Sequence, residues 1–162
     1  MSTNIDTNTI EHYNFQTNNI VVIRKEHIND LTEILRVKSS FQYIDADFDD
    51  CYSKIGSEVF DLLFNSNMKF LSLIDEQLDD DTFQYLLQKI DEDTTITYLE
   101  FQYLNETRLQ QLLDIIKPKN SILDLVLYFE QGEINSEFRK MLDEYKKVRP
   151  FTKLKVINFS QS

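Results

Sequence analysis

The chain has 162 residues, 28 acidic against 17 basic, a formal net charge of −11 and a hydrophobic share of 41%. That length suits one domain, and the apolar share is enough for a core. One cysteine, two histidines and two glycines exclude a disulfide framework, a Cys-rich zinc site, a Walker loop and a dinucleotide fingerprint. The acidic balance argues against nucleic acid or an anionic membrane as the main partner.

Residues 1–9, MSTNIDTNT, are polar and lack the apolar core of a secretory signal. They are expected to form a flexible tail ahead of a single domain over residues 10–162. No apolar run approaches the length of a membrane span, and Ser2 excludes the myristoylation pattern. The sequons Asn105-Glu-Thr107 and Asn158-Phe-Ser160 read as chance matches in a chain rich in Asn and Thr. A cytoplasmic, reducing compartment is the expectation.

Six segments share an apolar-x-x-apolar-x-apolar pattern: Ile10-Tyr13-Phe15, Phe41-Ile44-Ala46, Met68-Leu71-Leu73, Ile96-Leu99-Phe101, Ile122-Leu125-Leu127 and Leu154-Ile157-Phe159. Their starts lie 31, 27, 28, 26 and 32 residues apart, the sign of an internal repeat. After each of the first five, apolar residues recur at three- and four-residue spacing, the period of a helix with one buried face. These sets are Ile28, Leu31, Ile34 and Leu35; Val59, Phe60, Leu62 and Leu63; Phe83, Leu86, Leu87 and Ile90; Leu109, Leu112, Leu113 and Ile116; and Phe138, Met141, Leu142 and Tyr145. Asp79 to Asp81, Asn105-Glu106 and Asn135-Ser136-Glu137 supply N-cap oxygens and negative charge for helix starts. Lys117-Pro118 and Lys146-Lys147 before Pro150 suit helix ends. Each unit thus reads as strand, turn and helix, and stacked units bury one continuous core that no single unit could.

On these residues, best in MKFLSLIDEQLDDDTFQYLLQKI and ITYLEFQYLNETRLQQLLDII, the chain resembles the leucine-rich repeat family of the ribonuclease-inhibitor type, from about Ile10 to Phe159. The resemblance implies an α/β solenoid of about five repeats plus a terminal strand, with parallel strands on a concave face and helices on a convex one. The family's turn asparagine is mostly missing: its positions hold Asn18, Asp49, Glu76, Leu104 and Glu130. Helix-entry glycines are largely absent too. An ordinary α/β sandwich is the rival architecture. Small modules of this repeat type with an AT-rich residue bias are similar to bacterial effectors, which would place the chain in a host-cell cytosol.

The solenoid reading sends residues between the core positions into the concavity. Successive strands then place His12, Tyr43, Phe70, Tyr98, Asp124 and Val156 in one ladder. Asn14, Asp45, Ser72, Glu100, Val126 and Asn158 form a second, and Gln16, Asp47, Ile74, Gln102, Tyr128 and Ser160 a third. Tyr43, Phe70 and Tyr98 would make an aromatic stripe with Ile74 and Tyr128 beside it, bordered by Asp45, Asp47, Glu100 and Asp124. Exposed aromatics within a polar border are the composition of a protein-binding hot spot, and the negative border favours a basic partner.

No catalytic or metal constellation is expected, and no cofactor. Cys51 reads as a buried structural thiol without a basic neighbour, and His12 and His27 as surface histidines. Asp79-Asp80-Asp81 lacks the spacing and glycine of a calcium loop. Asp45 and Glu100 as paired glycosidase carboxylates would have Ser72 between their strands. The final hexamer is a strand followed by three residues, so an uncovered edge inviting association with another chain is a further expectation. Two functions follow: a non-enzymatic protein-binding module, or a small acidic α/β enzyme or metal-dependent ligand-binding domain.

Overall fold

Parallel neighbours cannot be joined by a tight turn, so each strand must be followed by a crossover long enough to return the chain to the same end of the sheet. The structure, a computed structural model, describes residues 20–24, 30, 33, 43–48, 54–66, 68–130, 132 and 134–159, with side chains left undescribed at 20–24, 43 and 159. Strands β1 (Ile20–Arg24), β2 (Tyr43–Asp47), β3 (Met68–Ile74), β4 (Tyr98–Gln102), β5 (Asp124–Glu130) and β6 (Lys153–Phe159) form one sheet. Every pairing is parallel, and the strands lie side by side in chain order. The later crossovers are helices α1 (Ser57–Phe64), α2 (Asp80–Glu92), α3 (Glu106–Ile116) and α4 (Ser136–Val148), each packed on the next. The architecture is α/β.

Local chemistry starts these helices where the sequence indicates. Asp79 accepts the Thr82 N–H at 2.8 Å, Asn105 that of Arg108 at 2.9 Å and Asn135 that of Phe138 at 3.0 Å. Each such cap is worth about 1 kcal/mol. The apolar stripes of α2, α3 and α4 are buried as their periodicity requires, and in α1 Val59, Phe60 and Leu63 are buried. They pack on alternate strand residues, Ala46, Leu71, Leu73, Leu99, Phe101, Leu125 and Leu127, in one cluster. The described helices therefore share one face of the sheet.

Three sequence expectations change here. The first hexamer, Ile10 to Phe15, and the tail before it lie outside the described residues; so do all four apolar positions of the first helical set. The strand that pairs with β2 is instead Ile20–Arg24, with Ile20 opposite Tyr43. A run of two valines between isoleucines has the β-branched character of a strand without the hexamer spacing.

The last strand is shifted by three residues. Leu125 pairs with Leu154 and Leu127 with Val156, whereas the hexamer pattern equates Leu125 with Ile157. The connection after α4 is short, and Thr152 Oγ1 donates to Ile122 O at 3.0 Å while Lys153 N donates to Leu123 O at 2.8 Å. These bonds fix the start of β6. An odd shift exchanges the two faces of a strand, so Val156 turns to the helix side and Lys153, Lys155 and Ile157 to the other.

The turn asparagine has a substitute one position late. Gln77, fully buried, accepts the Ile74 N–H on Oε1 at 2.9 Å and donates from Nε2 to Phe48 O, while its own carbonyl accepts the Ile55 N–H at 2.8 Å. Glu76, at the family's position, is exposed.

Leu99 is fully buried, whereas Leu154, at the matching place on β6, is half-buried. Leu99→Ala is expected to lower unfolding stability by about 3 kcal/mol and Leu154→Ala by about 1 kcal/mol, measured by urea denaturation.

Candidate interaction face

The sheet face opposite the helices carries the candidate site. A parallel register places side chains in rows across the strands, neighbours about 4.8 Å apart. One row runs Asp45, Phe70, Tyr98, Asp124, Lys153, and the next Asp47, Ser72, Glu100, Val126, Lys155. A third holds Ile74, Gln102, Tyr128 and Ile157.

At that spacing flat rings on adjacent strands must stack. Phe70 and Tyr98 do so, with ring centroids 4.3 Å apart and planes inclined by 14°. Both rings are half-buried. Two residues further along β4, on the same face, Glu100 is only 7% exposed. Both its oxygens are held by hydroxyls: Ser72 Oγ donates to Oε2 at 2.6 Å and Tyr98 Oη to Oε1 at 2.8 Å. Burial is the largest cause of a raised Tyr98 pKa, followed by this bond to Glu100 and the Glu100 charge, with Tyr128 and Asp124 adding to it. On β2, burial raises the Asp45 pKa and the Asp47 charge raises it further.

Most of the sequence-derived residues meet on this face, in altered roles. The expected stripe of three aromatics is a pair. The register shifts between Ile44 and Asp45, so that Ile44 lies opposite Met68 but Asp45 opposite Phe70. Beyond that point β2 is paired two residues away from the hexamer alignment, Ala46 opposite Leu71, so Asp45 takes the place in the row expected of Tyr43, whose side chain lies outside the described residues, and Asp47 lies beside Ser72. An irregularity of this kind leaves no mark in apolar spacing.

Ile74 is on the face but only 2% exposed, because the chain turns at once into the 3₁₀ helix Asp75–Gln77. Its side chain is buried, not exposed beside the stripe as expected. Glu100 is a buried, hydrogen-bonded carboxylate and not part of an exposed border. Asp124 and Tyr128 are half-buried, beside Tyr98 and Gln102.

Lys153 and Lys155, both exposed, stand where the hexamer spacing places Val156 and Asn158. The alternation Lys-Leu-Lys-Val was the available signal.

Elsewhere, Asp79 caps α2, and Asp80 is paired with Arg108 at 2.8 Å, which gives those acids structural partners. Asp45 and Glu100 lie in different rows, with β3 between their strands. His12, His27 and Cys51 lie outside the described residues, as do Asn14, Gln16 and Ser160. Among the described residues no three His, Cys, Asp or Glu side chains converge as a metal site, and no helix is long and apolar enough to cross a membrane. Near the starts of β5 and β6, Phe151 is 96% exposed at a cleft of about 550 Å³ also lined by Leu123, Val148 and Lys147. No protein-family model matches the chain, and comparison with curated proteins finds no match.

The fold favours neutral Tyr98, so its contribution to stability is complete below the ordinary value of 10.0 and is lost as pH rises through the higher folded value. Ultraviolet titration, compared with Tyr98→Phe, is expected to show this phenol ionising late. Glu100→Gln is expected to bring its ionisation to lower pH.

Asp45 carries the opposite implication at neutral pH. Its raised folded pKa means that stability falls as pH rises from below 3.8 through the folded value. Asp45→Asn is therefore expected to melt above wild type at pH 7, with the gap closing in thermal scans below that range.

Proposed function

We propose that the chain is a non-enzymatic protein-interaction module, a divergent leucine-rich-repeat-like solenoid that binds a partner with a basic surface through the face opposite its helices. Chain-order parallel strands with helices on one side support the solenoid reading. The observation that carries the binding reading is the Phe70–Tyr98 stack, half-buried outside the main core and flanked in its row by Asp45 and Asp124. Aromatic anchors of this kind supply most of the energy of a typical interface once covered. The flanking acids steer a cationic segment to them and repel acidic ones.

The test uses a partner isolated with the wild-type chain, purified, and titrated against variants whose circular dichroism matches wild type. Phe70→Ala with Tyr98→Ala is expected to weaken binding at least about tenfold. Asp45→Asn with Asp124→Asn is expected to slow association and flatten its salt dependence. Unchanged binding by the first pair would overturn the assignment of this face.

A further inference from the structure

Three of the four large apolar side chains exposed among the described residues, Leu123, Val148 and Phe151, gather at the cleft where β5 and β6 begin. Single apolar side chains on a surface need no cause, whereas a cluster around a concavity marks a contact site. Lys147 and Arg149 line the same cleft, and no carboxylate does. Charge here departs from the rest of the chain. Residues 145–162 hold five cations and no Asp or Glu, in a chain of net charge −11. Lys146 and Lys147 stand in the last turn of α4 and offset the negative end of its dipole, and Lys153 stands beside Asp124. Asp114 is paired with Lys117 at 3.8 Å, and Asp143 and Glu144 are exposed on α4 outside the lining. Arg149 has no compensating acid. It is half-buried, and its guanidinium donates to Lys117 O and Asn120 Oδ1, both neutral acceptors. The buried Arg108, by contrast, is paired with Asp75 and Asp80.

We infer that this cleft binds an acidic peptide segment, with one large apolar side chain of the segment packed among Leu123, Val148 and Phe151 and its carboxylates paired with Arg149 and Lys147. The surface is separate from the Phe70–Tyr98 face and takes a partner of opposite charge. A volume of about 550 Å³ falls within the range of about 300–1,000 Å³ usual for a binding cleft, with room for one anchoring side chain. Arg149 Nη2 makes no bond among the described residues, so the guanidinium keeps donors for a carboxylate, which it meets in the geometry of a planar fork. A concave apolar site favours an inserted side chain over a flat lipid surface. The net charge of −11 repels an extended anionic surface. A short segment meets the local cations instead, because at physiological salt charges are screened over about 8 Å.

The experiment is selection from a displayed library of random dodecapeptides on the full chain, with a Lys147→Glu, Phe151→Ser double variant as the counter-target. Both altered side chains are exposed, so the variant is expected to melt with wild type. Peptides enriched on wild type alone are expected to carry several Asp or Glu around a Phe, Trp or Leu. A labelled peptide of the enriched sequence, followed by fluorescence anisotropy, is expected to bind the variant at least about tenfold more weakly. Changing its own acids to amides is expected to cost as much, and added salt to weaken it further. The Phe70→Ala, Tyr98→Ala chain is expected to bind it as wild type does, which separates this outcome from that of the sheet face. Enriched sequences that are basic or uncharged overturn the inference, and so does equal enrichment on both chains. Phosphatidylserine vesicles or a uridine oligonucleotide bound by wild type and lost in the double variant, with no acidic peptide enriched, also overturn it and assign the cleft to that ligand.

Discussion

Pairing each strand in parallel with the one before it constrains this molecule more than any single contact does. A parallel pair needs a crossover, and crossovers in a sheet share one hand. When the strands also advance steadily in one direction, every crossover must pass over the same face. Here the order never reverses from β1 to β6, and α1 to α4 lie together over Leu71, Leu99 and Leu125. One face of the sheet becomes the core. The other is left to side chains in rows, and that is why residues 26 to 29 positions apart in sequence become neighbours in space.

Units stacked in this way must be tied to each other by polar groups as well as by the core. The described structure uses long side chains reaching back to backbone carbonyls of the preceding unit. Arg108, on α3, donates to Leu78 O at 3.0 Å and to Asp75 O and Oδ1, pairs with Asp80, and lies 4.7 Å over the Phe83 ring. Lys119 donates to Asp91 O and Asp93 O at the end of α2, at 2.6 and 2.7 Å. Arg149 donates to Lys117 O at the end of α3 and to Asn120. A cation placed at the preceding helix's C-terminus meets both the unpaired carbonyls and the negative end of its dipole. Together with Gln77, which reaches Phe48 O, these contacts tie described units to the ones before them.

What the sequence revealed follows the same division. Helix stripes and caps were legible because both are local: Phe83, Leu86, Leu87 and Ile90 declare a face by spacing alone, and Asn105 declares a helix start. Strands β2 to β5 were legible because each carries the same apolar spacing in a chain of near-constant period. Register was not, since it is fixed by contacts made after folding. Lys69 adds a residue opposite β2, and Thr152 pins β6; neither alters local spacing. The consequences fall on the candidate face, where a two-residue shift of β2 removes Tyr43 from the row of Phe70 and a three-residue shift of β6 brings in Lys153 and Lys155. Burial of Glu100 was equally hidden, because it depends on Ser72, 28 residues away, and on a tyrosine hydroxyl folding back along the same strand.

The lysines of β6 belong both to the sheet edge and to the open face. Among the described residues, β6 pairs only with β5, so its outer edge presents backbone groups that another strand could extend. Charged side chains on such a strand discourage edge-to-edge pairing, and lysine is the residue most used for it. Lys153 and Lys155 are both exposed here, on the face away from the helices. The same two charges that disfavour extension of the sheet in its own plane also stand at the end of the rows that hold Phe70, Tyr98 and Glu100, with Asp124 beside Lys153. Asp45 and Asp47 stand in the same rows on β2, with Arg24 of β1 opposite Asp47. Pairing along the edge is thus opposed, while the aromatic pair lies inside the sheet, half-buried on the face away from the helices.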